Sequence, residues 1–264
     1  MAPEMPHSIV DASKPNAGRI YDFALGGNHN FEVDRQAAQQ ILKVFPQYPE
    51  IAKVTRWFLG EAVRRLAREG YSRFIDFASG LPTNDHVHEI TPPGTQVIYS
   101  DWDLVTVTYG QEIVGGNQHV RYVQCDAGRA DELLKMPIVP ELFSGSRKAV
   151  FGFNGISWFL KDDELQRSLR AAYDWAEEGS RVYMTTFDSA QITPAMRDLA
   201  ALFGQFGQPV YLRSQADLEK LMAPWKVIEP GFRSVEEWFN MPASVAASTR
   251  TLLGGFEQGV ILGK

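Results

Sequence analysis

Four polar side chains stand directly behind short apolar runs: Asp76 behind RFI, Asp101 behind VIYS, Asp126 behind VRYVQC and Asn154 behind VFGF. Small residues, Ala78 and Gly80, follow the first of them in FIDFASGLPT (Phe74 to Thr83), and Asp101 lies 21 residues beyond Gly80. A strand, a tight turn of small residues and a second strand ending in an acid is how an open α/β sheet holds a nucleoside. The glycine count bears on which nucleoside. A pyrophosphate needs close backbone approach and the three glycines that allow it, and Gly80 stands alone between Ala78 and Pro82, which argues against NAD or FAD. There is no P-loop and no G-x-S-x-G elbow.

Each strand end has a chemical task available. Asp101 can accept from two ribose hydroxyls, Trp102 can cover an adenine face, and Asp126, beside Ala127, can accept from the adenine amino group. Backbone amides between Gly80 and Asn84, Thr83 among them, can hold a carboxylate. A ligand with adenine, ribose and an amino-acid end is S-adenosylmethionine. Any one of these aspartates reads equally well as a cap or turn residue, and Trp102 as core; their joint placement behind three successive strands favours the ligand. His86, His88 and Glu89 do not share the i, i+4 face that a metal prefers. His29 is the histidine best placed to meet a ligand. Cys125, the single cysteine, sits in a strand-like run, reads as inert, and rules out an intrachain disulfide.

These residues require an alternating α/β chain to position them. Apolar runs at Arg73–Phe77, Val97–Ser100, Val120–Gln124, Ala149–Phe153, Arg181–Phe187 and Trp225–Glu229 alternate with helical stretches, and GVILGK supplies a seventh strand. That rhythm predicts a mainly parallel sheet covered on both faces. Ile51, Val54, Phe58, Ala62 and Leu66 predict an amphipathic helix from Pro49 to Gly70; Asp103, Asp162 and Ser214 are candidate helix caps. Residues 1 to about 15 read as a mobile or surface-lying arm. RIYDFALGGNHNFEVDR (Arg19 to Arg35) reads as irregular backbone of the binding-loop kind, and Ser234 to Gly255 as helix or loop. With 264 residues, 44% hydrophobic content and a net charge of −6, the chain is expected to form one domain that binds no nucleic acid, spans no membrane and works in the cytoplasm.

The segment RIYDFALGGNHNFEVDR and the turn GLPT at Gly80–Thr83 resemble the actinobacterial S-adenosylmethionine-dependent methyltransferases long catalogued as a domain of unknown function. Those proteins share R-x-Y-D-x-x-L-G-G-x-x-N-[FY]-x-x-D, matched here at Arg19, Tyr21, Asp22, Leu25, Gly26, Gly27, Asn30, Phe31 and Asp34; the strand end around Asp101 and EPG at Glu229–Gly231 extend the similarity. The resemblance implies a Rossmann-like class I methyltransferase fold: a seven-stranded, mostly parallel sheet with its last strand antiparallel, helices on both faces, and the cofactor at the first strands. On this reading residues 1–48 form an N-terminal arm and helical lid, and 49–264 the core. Arg19, Tyr21 and Asn30 are then expected to join Asp76, Ala78, Gly80, Thr83, Asp101, Trp102, Asp126, Ala127 and Asn154 in holding S-adenosylmethionine. The chain departs from the family pattern in three places. Ala78 replaces the usual glycine, DWDL replaces D-N-D-P, and NGISWFL replaces an apolar-His-Phe element.

The expected reaction is methyl transfer to a small-molecule acceptor, in a secondary-metabolic setting. Trp158, Phe159, Phe187, Phe232, Trp238 and Phe239 are candidate walls of an apolar pocket, and Tyr21, Asp22, Asn154 and Tyr183 stand on the acceptor side by position. The sulfonium supplies the activated methyl group, so no pattern obliges a catalytic base. The altered NGISWFL element keeps open a protein that binds S-adenosylmethionine or S-adenosylhomocysteine without transferring a methyl group.

Overall fold

A computed structural model describes residues 13–82, 85–238 and 257–264. Among them are the strands β1 (Arg73–Asp76), β2 (Gln96–Asp101), β3 (Val120–Gln124), β4 (Val150–Phe153), β5 (Arg181–Phe187), β6 (Lys226–Val227), β7 (Arg233–Ser234) and β8 (Glu257–Gly263). The helices are α1 (Ala17–Ala24), α2 (Glu32–Val44), α3 (Tyr48–Arg68), α4 (Val87–Ile90), α5 (Leu104–Ile113), α6 (Ala130–Leu134), α7 (Ile138–Leu142), α8 (Asp162–Trp175), α9 (Pro194–Gln205), α10 (Gln215–Met222) and α11 (Val235–Trp238).

The sheet runs β3-β2-β1-β4-β5-β8-β6, with β7 also on β8. Neighbours from β3 through β5 are parallel, and β8 is antiparallel to β5, as the resemblance implied. Strand order reverses between β1 and β4, which opens a crevice at their carboxyl ends. The central strands are apolar without alternation because both faces are covered. Phe74, Val97, Tyr99, Val150 and Tyr183 pack under α1, α2, α3 and α9, whereas Ile75, Ile98, Phe151, Val182 and Met184 pack under α6, α8 and α10.

The predicted helix over Pro49–Gly70 is α3. The sixth predicted strand contracts to β6, with Ile228 N still donating to Ile261 O at 3.1 Å, because Trp225 turns into the core and donates from Nε1 to Leu169 O. Ser214 caps α10 as expected. Asp162 instead lies inside α8 and binds Arg213, and Asp103 stands at the N-cap of α5 without a capping bond.

The largest departure is at the amino terminus, where the predicted irregular segment is mostly helical. Asn16 accepts from Gly18 N and Arg19 N to start α1, Gly26 ends that helix at φ +83°, and Asp34 accepts from Phe31 N at the start of α2. Ile20, Ala37, Ala38 and Ile41 are buried in the same cluster as α3. The segment is therefore a packed layer. Its polar residues bond mostly to one another across the turn between α1 and α2, and through Arg19 to Asp103.

Candidate active site

The parallel register brings the ends of β1, β2, β3 and β4 side by side beneath one cavity of about 320 Å³. Asp76, Ala78 and Gly80 line it from the first strand end, Asp101 and Trp102 from the second, Asp126 and Ala127 from the third, and Asn154 from the fourth. Its far half is apolar, lined by Tyr48, Leu59, Trp158, Phe159, Phe187 and Phe203 among others.

Asp76 is buried and accepts from the Tyr183 hydroxyl at 2.6 Å, while Ser79 Oγ donates to the Asp76 carbonyl, also at 2.6 Å. That pairing depends on Gly152 in β4, since a Cβ there would overlap both Asp76 Oδ1 and the Tyr183 hydroxyl. Burial pushes the Asp76 carboxyl up to about 6, against the opposing hydrogen bonds of Tyr183 and Ser79 and the charge of Arg56. The chain then turns through Ala78 at φ +51° and Gly80 at φ +62°. A left-handed alanine is strained, which is the cost of replacing the glycine usual at this position.

Asp101 closes the turn from the other side, accepting from Gly80 N at 3.2 Å and from Asp103 N at 3.0 Å. Burial raises its carboxyl to about 6, with the neighbouring Asp103 charge adding to the rise and the amides of Asp103, Gly80 and Trp102 opposing it. Trp102 is 58% exposed, so its indole is a surface beside the cavity and not core. Asp126 accepts from Gly128 N at 2.8 Å while its residue stays exposed, and Ala127 is buried beneath it. Asn154 is held by a bond from Nδ2 to Thr55 O at 3.1 Å.

The arm divides. Tyr21 lines the cavity and donates to Ala52 O at 2.9 Å, and burial holds its hydroxyl above the usual value, so it is a neutral phenol at physiological pH. Arg19 and Asn30 lie off the cavity wall. Arg19 Nε bonds Asp34 at 2.8 Å, Nη1 bonds Asp103 at 2.9 Å and Nη2 bonds Lys14 O at 2.8 Å. Asn30 Nδ2 bonds Asp22 Oδ2 at 2.9 Å and Gly27 O at 3.0 Å. Gly27 has no room for a Cβ, which would overlap the Asp22 carboxylate. These positions of the shared pattern thus form a clasp between α1, α2 and the start of α5. The clasp reaches the site through Asp103, whose amide holds Asp101.

Other expectations sort similarly. Tyr183 is fully buried beneath the site as the partner of Asp76, Asp22 belongs to the clasp, and His29 lies edge-on to Tyr109 at 5.1 Å, away from the cavity. Trp158, Phe159 and Phe187 are walls, Trp158 stacking on Phe187 at 4.1 Å. Phe232 packs in the core on the far side of the sheet, and Trp238 donates to Gly259 O against Phe58. Thr83 and Phe239 lie outside the described residues. His86 and His88 both pack on Tyr99, and burial raises the Cys125 thiol to about 12, far from a nucleophile's range.

Tyr48, Leu59 and Arg56 of α3 and Phe203 of α9 also line the cavity, though no motif in the sequence marks them. Tyr48 and Phe203 pack ring to ring at 6.1 Å. Their signal in the sequence is that of ordinary amphipathic helices, which does not distinguish a residue facing a cavity from one facing core.

The model for the S-adenosyl methyltransferase family matches residues 3–257. A candidate methyltransferase from Thermobifida fusca is 29% identical, with a TM-score of 0.87 over 98% of both chains. A DUF574 family protein from Streptomyces avermitilis is 24% identical, with a TM-score of 0.88 over 97% of this chain and 100% of its own. Magnesium protoporphyrin IX methyltransferase from Synechocystis, with S-adenosylhomocysteine bound, shares the fold at a TM-score of 0.54 over 93% of each chain, at 12% identity. No curated protein matches the sequence. A family match over nearly the whole chain accounts for what the strand ends suggested: the chain belongs to the S-adenosyl methyltransferase family and is a methyltransferase that uses S-adenosylmethionine.

Proposed function

We propose that this enzyme methylates a small, apolar acceptor, of the kind secondary metabolism supplies, held in the far half of the cavity while S-adenosylmethionine occupies the strand-end half. The observation that carries this reading is the continuity of one cavity from Asp76, Gly80, Asp101, Trp102 and Asp126 to Trp158, Phe159, Phe187 and Phe203. Acidic strand ends suit a ligand bearing a sulfonium and an ammonium; aromatic walls suit an uncharged ring system. Asp101 accepts from the ribose hydroxyls, Trp102 covers the adenine, Asp126 accepts from its amino group, and Asp76 with the Ala78–Gly80 turn holds the amino-acid end. When bound, S-adenosylmethionine supplies an activated methyl group, and the protein's part is to line up the acceptor and keep water out. Asn154 and Tyr21, which also line the cavity, orient the acceptor.

Transfer of labelled methyl from S-adenosylmethionine into a panel of neutral aromatic and isoprenoid acceptors tests the assignment, with charged acceptors of similar size as the contrast. Preference for the neutral set, reduced in Phe187→Asp, supports it. Efficient methylation of phosphorylated or carboxylated acceptors alone would refute it.

A further inference from the structure

Five charged side chains line the cavity among the described residues: the carboxylates of Asp76, Asp101, Asp126 and Glu164, and the guanidinium of Arg56. Arg56 is unusual among the arginines at this end of the sheet. Arg19 is bonded through three nitrogens, and so is Arg213, to Asp162, Ser157 O and Leu160 O. Arg56 Nη1, by contrast, is buried with no hydrogen-bond partner among the described residues, and the ion pairs of those residues do not include Arg56. A guanidinium has five N–H donors in a fixed fork that matches a carboxylate; Arg56 also hydrogen-bonds the Tyr21 side chain, and leaving Nη1 buried and idle is costly. Its Cζ lies 5.8 Å from the centroid of the Tyr21 ring. Its charge also reaches Asp76, whose carboxylate it favours.

The ligand's own charges complete the match. The amino-acid end of S-adenosylmethionine carries one ammonium and one carboxylate, and among the described residues the cavity offers several anions and, in Arg56, one cation. The Gly80 amide, a candidate for holding that carboxylate, already donates to Asp101, and α4 starts only at Val87. We propose that Arg56 binds the α-carboxylate of the cofactor's amino-acid end, opposite Asp76, which faces the α-ammonium. This assignment rests on the reading that places the amino-acid end at the Asp76–Gly80 turn.

Calorimetric titration with two probes tests it: S-adenosylhomocysteine, and 5′-methylthioadenosine, which keeps adenosine and sulfur but lacks the amino-acid end. Arg56→Gln is expected to weaken S-adenosylhomocysteine by about 10- to 100-fold, the effect of losing charge-assisted hydrogen bonds. Binding of 5′-methylthioadenosine should change by less than about threefold, and Arg56→Lys should recover part of the loss because it keeps the charge without the fork. Equal losses for both probes, or none for S-adenosylhomocysteine, would overturn the assignment. Asp101→Asn serves as the control for placement, since it should weaken both probes. If it weakens neither, the placement of the cofactor falls and the role of Arg56 with it; if it weakens both while Arg56→Gln does not separate them, only the Arg56 assignment fails.

Discussion

Cofactor affinity should collapse between pH 7 and pH 5, well before the carboxylates of an ordinary protein surface titrate. Asp101 and Asp76 each titrate at about 6, and in both cases the dominant cause is burial, so the proton is favoured by removal from water. On the proposed placement Asp101 accepts from both ribose hydroxyls, which needs both of its oxygens free of a proton, and Asp76 faces an ammonium, which needs its charge. A group with that pKa is about nine-tenths charged at pH 7 and about one-tenth charged at pH 5, so each required carboxylate costs about tenfold in affinity, or about 1.4 kcal/mol. Requiring both costs about a hundredfold. Titration of S-adenosylhomocysteine from pH 8 to pH 5, in two buffers of different ionisation enthalpy, reads both the affinity and the protons released. Below pH 6 the release should approach one proton per carboxylate, and Asp101→Asn should halve the slope. The fold itself does not follow the same course. Between about pH 6 and the ordinary value of 3.8 the native state holds more protons at Asp76 and Asp101 than the unfolded chain does, so their contribution to stability rises as pH falls. Buried His86, held well below 6.5, works the other way, because the unfolded chain gains its proton first as pH falls below 6.5. Melting curves of the ligand-free protein separate these effects from the binding loss. An affinity constant to within about twofold from pH 7.5 to pH 5 would refute the requirement for ionised carboxylates.

Ala78→Gly should stabilise the protein by up to about 1 kcal/mol, because it relieves a left-handed alanine at φ +51°, and should raise the melting temperature by about 2–4 °C. A lower melting temperature would contradict the strain. Arg19→Met strands the carboxylates of Asp34 and Asp103 and should cost about 3–5 kcal/mol, read as a shift in urea midpoint; a loss below about 1 kcal/mol would mean that the clasp is not a structural ion network.

Much of the fold was legible because the central strands are covered on both faces and so appear as unbroken apolar runs. The four strand-end side chains followed from those runs directly, and the parallel register brings them to one cavity. Helices were harder. The polar, glycine-bearing stretch from Arg19 to Arg35 has the composition of a loop, yet Arg19, Asp22, Asn30 and Asp34 bond to one another in pairs, and Arg19 also to Asp103, 84 residues away. Local composition contains no information about a partner at that distance. The aromatic residues posed the same problem: Phe187 is a cavity wall and Trp238 packs elsewhere, a difference that depends on the helices packed over each strand end.

By itself the sequence determined the order of strands and turns, the acidic residues that end them, and a shortage of glycines unsuited to a pyrophosphate. Each of these is local, set by apolar runs and turn chemistry within a few residues. Tertiary structure decided what those residues experience. Burial raised Asp76 and Asp101 toward neutrality, and Gly152 gave Asp76 room to meet Tyr183. It also drew Arg19 away from the cavity and set Arg56 on its wall. Arg19, conspicuous in the pattern, is spent on Asp34 and Asp103, while Arg56, an unremarkable residue of a long helix, lines the cavity. A charge acts through whatever lies within a few ångströms of it, and that is known only once the helices are packed against the sheet.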